Sequence, residues 1–182
     1  MADLVLTLIG PDRPGLVEAV AEVVASHGGN WLESRMAHLA GKFAGILRVE
    51  IAADQATALQ TALGELESRG LKVVGESSGE PGSQPTPGRT LVLELVGLDR
   101  PGIVREISQL LANGGANVEE LATDRSSAPM SGEMLFHAKA RVRLPGDADL
   151  TGLRSALERL ASDLLIELRL VETALETKPR KG

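Results

Sequence analysis

The chain has 182 residues, 43% hydrophobic and 24% charged, a composition that folds and a length that suits two small domains. It has 0 Cys, which excludes disulfides, thiolate nucleophiles and Cys-ligated metals. With only 1 Trp and 2 Phe to stack on bases and a net charge of -6 to repel phosphates, direct nucleic-acid binding is not expected.

Leu4 to Ile9 is apolar apart from Thr7 and predicts a central strand. GPDRPG then breaks the chain. Leu16, Val17, Val20, Val23 and Val24 recur at helical spacing, and His27-Gly28-Gly29 marks the helix stop. Asn30 to Leu39 and Phe43 to Ile51 read as strands around a turn at Gly41. Asp54 is a candidate N-cap for a second helix carrying Leu59, Ala62, Leu63 and Leu66. Arg69-Gly70 ends it, and Leu71 to Val74 predicts a fourth strand.

The plan then repeats. LVLTLIGPDRPGLV begins at Leu4 and LVLELVGLDRPGIV at Leu91, and both copies run on to Gly-x-Asn, at Asn30 and Asn117. In the second copy Leu91 to Val96, Asn117 to Arg125, Glu133 to Leu144 and a last segment with Leu164, Ile166, Leu168 and Leu170 predict strands. Ile103, Val104, Ile107, Leu110 and Leu111 form one helical stripe; Leu153, Ala156, Leu157 and Leu160 form another. The expected layout is one unit over 1–76, a Pro/Gly-rich linker over 77–89, a second unit over 90–175 and a short tail over 176–182. Each unit is read as βαββαβ, an α+β ferredoxin-like arrangement with an antiparallel sheet and both helices on one face.

Chemistry is sparse. His27, His38 and His137 are far apart and none lies in HExxH, so no metal is expected. GxSxG, GxGxxG and the P-loop are all missing, no cofactor is implied, and the chain is not expected to be an enzyme. No apolar run approaches bilayer length, so no membrane span is expected. The opening MADLVLTLIG lacks a basic stretch, and with the lack of Cys this points to the cytoplasm.

The twin segments Gly10-Pro11-Asp12-Arg13-Pro14-Gly15 and Gly97-Leu98-Asp99-Arg100-Pro101-Gly102, each followed by an apolar helix and Gly-x-Asn, resemble ACT domains. These are small ferredoxin-like modules that sense amino acids. A free-standing pair of this length resembles the glycine cleavage system transcriptional repressor group. The resemblance implies a non-enzymatic regulator with a small amino acid, glycine or similar, as effector. It also implies a transcription factor or metabolic enzyme as protein partner.

Both loops fit such a role. Pro14 and Pro101 can occupy the first turn of a helix, and Gly15 and Gly102 leave its end open, so free N–H groups could hold a carboxylate. Asp12 and Asp99 could cap the helix or meet an ammonium group. Asn30 and Asn117 are expected beside the same corner, as donor and acceptor to an α-amino acid. The resemblance places the ligand where two units meet, which adds Trp31, Leu32, Val118 and Glu119 as secondary candidates. DRPG is equally a sound turn without a ligand, Arg13 and Arg100 equally surface residues or partners of a nearby carboxylate. The alternative reading is a ligand-free assembly module. A homodimer is expected, because each sheet has one face without helices.

Overall fold

A computed structural model describes residues 1–77 and 87–173 and divides the chain into two compact units, Met1–Ser83 and Gln84–Gly182. The first runs β1 (Ala2–Pro11), α1 (Leu16–Ser26), β2 (Asn30–Leu39), β3 (Lys42–Ile51), α2 (Ala56–Gly64), a 3₁₀ turn (Glu65–Arg69) and β4 (Lys72–Ser77). The second runs β5 (Gly88–Leu98), α3 (Ile103–Asn113), β6 (Asn117–Ser127), β7 (Met134–Pro145), α4 (Leu150–Leu164) and β8 (Glu167–Thr173). Each sheet is antiparallel, in the orders β2-β3-β1-β4 and β6-β7-β5-β8. Both units are therefore α+β, with the βαββαβ order read from the sequence.

Alternation along β1 explains the layering. Leu4, Leu6 and Leu8 are buried, while Val5, Thr7 and Ile9 point away from the helices. The inward leucines meet Leu47, Val49 and Ile51 of β3, Leu16, Val20 and Val24 of α1, and Leu59 and Leu63 of α2. The second core repeats this with Leu91, Leu93 and Leu95 under Ile103, Ile107, Leu111, Leu153 and Leu157. Burying each such side chain stabilises its unit by about 1.5–3 kcal/mol. No polar or charged side chain is buried among the described residues.

The sheet faces turned from the helices mix exposed apolar residues with ion pairs. In the first unit Val5, Ile9, Ile46 and Val74 stand exposed there. In the second, Glu94 pairs with Lys139 at 2.9 Å and Glu120 with Arg141 at 2.9 Å.

Several sequence expectations are corrected. Val17 and Val104 belong to the apolar stripes by spacing, yet they are 46% and 40% exposed. In α1 the inner row is shifted to include Ala19. Asp54 caps nothing, because α2 begins at Ala56 behind Gln55 without a side-chain cap. The helix that does have an acidic cap is α4, where Asp149 Oδ1 accepts from the Gly152 N–H at 2.9 Å. Leu164 ends α4 rather than joining β8, and Leu165 turns the chain with φ 52°. The strands also run into the expected linker. Ser77 closes β4 while Gly88 and Arg89 open β5; residues 78–86 between them, and the expected tail at 176–182, lie outside the described residues.

Candidate functional site

Each DRPG corner links the end of a central strand to the start of a helix. The Asp12 N–H donates to the Gly41 carbonyl at 3.0 Å, and the Asp99 N–H to the Met134 carbonyl at 2.8 Å. Both corners are thus tied to the neighbouring hairpin. Gly15 then adopts φ 87°, ψ 3° and Gly102 φ 91°, ψ -6°, the left-handed conformation that glycine enters without a Cβ penalty. These glycines are the N-caps, so Pro14 and Pro101 lie just outside the helices rather than in their first turns. Neither helix has a side-chain cap. The first helical hydrogen bonds reach back from Ala19 to Gly15 and from Glu106 to Gly102, each 3.0 Å. The N–H groups ahead of them have no carbonyl to meet within the helix, and the helix dipole adds positive potential there.

Asp12 and Asp99 do not cap. Asp12 Oδ2 lies 3.6 Å from His38 Nε2, and Asp99 Oδ2 lies 3.0 Å from Arg125 Nε. Both carboxylates turn to the hairpin end of the sheet, away from the helix. His38 Nε2 also receives the Gly41 N–H at 3.3 Å, so in that tautomer it presents no proton to Asp12.

The arginines part company. Arg13 donates through Nη2 to the Arg69 carbonyl, fastening the first corner to the end of the 3₁₀ turn. A cleft of about 190 Å³ opens beside this contact, lined by Arg13, Gly15, Glu18, Glu22, Leu66 and Arg69 among others. Arg100 instead grips Glu106 at two points, Nη1 to Oε1 at 3.1 Å and Nη2 to Oε2 at 2.6 Å. The hydrogen bonds to Glu106 raise the Arg100 pKa above its usual value, and those from Arg100 hold the Glu106 carboxyl below its own. The second corner already contains a carboxylate of its own chain.

Asn30 and Asn117 are not beside these corners in their own units. Asn30 pairs with Glu50, at the end of β3 where β1 begins, while the corner follows Pro11, paired with Lys42. Glu50 pairs with Asp3, and the eight residue steps from Asp3 to Pro11 make that about 27 Å. The reason is the crossover: α1 carries the chain back to the starting end of the sheet before β2 begins. Asn117, paired with Arg143, sits equivalently.

The secondary candidates gather at the Asn ends. Trp31 packs on the first core, and Leu32 is the bulge residue next to it, half exposed. Val118 is exposed at the edge of β6. Glu119, at the matching bulge, is engaged by Arg143 and lies 3.7 Å from Arg141 Nε. Sequence reasoning missed Glu18, Glu22 and Arg69. Glu18 and Glu22 belong to no motif, but their i, i+4 spacing places them on one side of α1 and could have found them.

Among the described residues no group of three or more His, Cys, Asp or Glu could hold a metal, and no helix is long and apolar enough to cross a membrane.

The family model for the ACT domain matches twice, over residues 2–74 and 89–171. The chain belongs to the ACT domain family. It is a regulatory, non-enzymatic member of that family, related to the glycine cleavage system transcriptional repressors. The repressors of that name from Escherichia coli K12 and Shigella flexneri are each 25% identical over 165 residues, covering 88% of this chain and 85% of theirs. A solved structure of a protein of unknown function from Galdieria sulphuraria superposes with a TM-score of 0.80 at 29% identity, covering 95% of this chain and 99% of that one. ACT domains as a class take small-molecule effectors and work through protein contacts, which is the setting for the two corners described above.

Proposed function

We propose that this protein is a cytoplasmic sensor of a small α-amino acid, glycine or a close relative, and that it controls a regulator of transcription by protein contact, without touching nucleic acid itself. The observation that carries the reading is the first corner. Uncapped N–H groups at Gly15 and the Arg13 and Arg69 side chains offer positive charge, and Glu18 and Glu22 offer negative charge, around one cleft sized for a small ligand. A zwitterion matches that pattern: its carboxylate belongs at the helix start and its ammonium beside the glutamates.

Asn30 approaches the helix start of this corner from a second copy of the chain, on the side away from β4. Strand β2 is a free sheet edge. Two such edges paired antiparallel bring the Asn30 end of one copy to the corner end of the other. Trp31 and Leu32 come with it. The effector then favours the paired state over the separate one, and the partner factor reads which state is present.

For the second corner the assembly reading is favoured. Glu106 already satisfies Arg100, so a ligand carboxylate would have to displace it.

Calorimetric titration of the full chain with each proteinogenic amino acid tests the proposal. The expected result is saturable binding of a small amino acid with one site per chain. Heat from none of them, with an intact dimer, would leave the assembly reading alone standing.

A further inference from the structure

The second unit contains an apolar groove. It measures about 300 Å³ and runs between α3 and the edge strand β6. Val104, Ile107 and Leu111 form one wall, Val118 and Leu121 the other, and Ala140 lies in the floor. Ser108 supplies the one polar side chain among the lining residues. The mouth is open to solvent: Leu121 is 49% exposed, and Val118 and Val104 are exposed too.

The strand registers allow the two units to be compared position by position. Leu93 pairs with Ala140 as Leu6 pairs with Leu47, so Ala140 stands where the first unit has a buried leucine. Val118 pairs with Val142 as Trp31 pairs with Val49, so a valine replaces a tryptophan that packs on the first core. Counting from the N-cap glycines, Ser108 replaces Ala21. Leu121 is larger than its counterpart Ser34, but it stands on the rim and adds wall rather than floor. Ile107, Leu111 and Ala138 are larger than their counterparts Val20, Val24 and Gly45, so the lining is redistributed: lower at Ala140 and Val118, fuller along α3, with a new hydroxyl at Ser108. The groove's volume lies at the lower end of ligand pockets.

We propose that the second unit binds one small, uncharged, apolar molecule between α3 and β6, with its single polar end on the Ser108 hydroxyl. The lining holds no cation or anion, so a charged group there would be desolvated without a partner. That distinguishes this ligand from the zwitterion assigned to the first corner, and the two proposals stand or fall separately.

The test is methyl NMR of the full chain titrated with 1-hexanol and with toluene as probes. Saturable shifts are expected at Val104, Ile107, Leu111, Val118 and Leu121 and not at the matching methyls of the first unit. Ala140→Leu and Val118→Trp restore the first unit's residues. Each should keep or raise the melting temperature while weakening both probes by about tenfold or more. Ser108→Ala should weaken hexanol and spare toluene. Unchanged affinity in both filled variants, or no saturable shift in the wild type, would overturn the proposal. So would shifts of these methyls on simple dilution without probe, which would mean that a second copy of the chain covers the groove.

Discussion

Arg100 and Glu106 form a two-point ion pair across the second DRPG corner, at 3.1 and 2.6 Å, whereas the equivalent Arg13 donates to the Arg69 carbonyl. The difference comes from one position. Glu106 lies four residues past Gly102, and four residues past Gly15 the first unit has Ala19. Without that carboxylate Arg13 reaches across to the 3₁₀ turn, and its guanidinium meets a backbone carbonyl instead of a side-chain anion.

The pair makes a prediction about pH. Glu106 is held below its ordinary carboxylate value of 4.5 by its hydrogen bonds from Arg100. A depressed folded value means that the pair's contribution is fully present above 4.5 and is lost as pH falls through the lower, folded value. Glu106→Gln should therefore lower stability near neutral pH and have little effect once the wild-type carboxyl is protonated. Urea unfolding at pH 7 and at about pH 3 checks this. An equal effect at both pH values would show that the pair does not titrate as described. The same variant frees Arg100, so the second corner should gain affinity for a small carboxylate.

The corner glycines predict a backbone effect separable from binding. Gly15 has φ 87°, and a Cβ there would meet only Glu18 Oε2, at 3.9 Å. The site has room but the wrong dihedral for other residues. Gly15→Ala should therefore cost about 1–2 kcal/mol from the left-handed conformation alone. Gly102, at φ 91°, should behave alike. Chemical denaturation of the two variants measures both, and a cost near zero would mean that the loops relax to negative φ.

The cap expected from the sequence and the cap found in the structure give a matched pair. Asp149 accepts from the Gly152 N–H, so Asp149→Ala should cost about 0.5–2 kcal/mol. Asp54 makes no cap to α2, so Asp54→Ala should change stability by less than about 0.5 kcal/mol. Comparable losses in the two variants would contradict the cap assignments.

These residues also show what was legible before the structure. Strand β2 was read with its observed bounds, Asn30–Leu39, because Gly-Gly before it and Ala-Gly after it break the chain at both ends. The βαββαβ order of elements was legible in both units because the repeat shows it twice. Cap identity was not legible: Asp54 and Asp149 both precede apolar helices, and only the backbone at the helix start decides which side chain reaches an N–H. The placement of Asn30 failed for another reason. Corner and asparagine are close in sequence, but a helical crossover always returns the chain to the opposite end of the sheet. The Arg100–Glu106 pair was visible in outline, as an arginine expected to find a nearby carboxylate, but its partner was not, since sequence does not say which way a guanidinium folds over a loop.

That same separation supplies the sharpest test of the proposed sensor. The ends of the sheet that carry Arg13 and Asn30 are about 27 Å apart in one unit, so the two cannot touch one small ligand from within it. If both hold the effector, they come from different copies of the chain. Asn30→Ala should weaken amino-acid binding by about 1.5–3 kcal/mol, the value of a hydrogen bond to a charged group. Its stability without ligand should fall by much less, because Asn30 is an exposed residue at a strand start. Arg13→Ala should weaken binding at least as strongly. A dimer formed from one chain of each variant then carries one doubly damaged site and one intact site. Mixing the two variants in equal amounts and letting subunits exchange should restore about a quarter of the wild-type sites. Calorimetry before and after mixing reads this directly. No recovery after verified exchange would place both residues' contributions within a single chain and rule out the shared site, and wild-type affinity in the Asn30→Ala protein would remove Asn30 from it altogether.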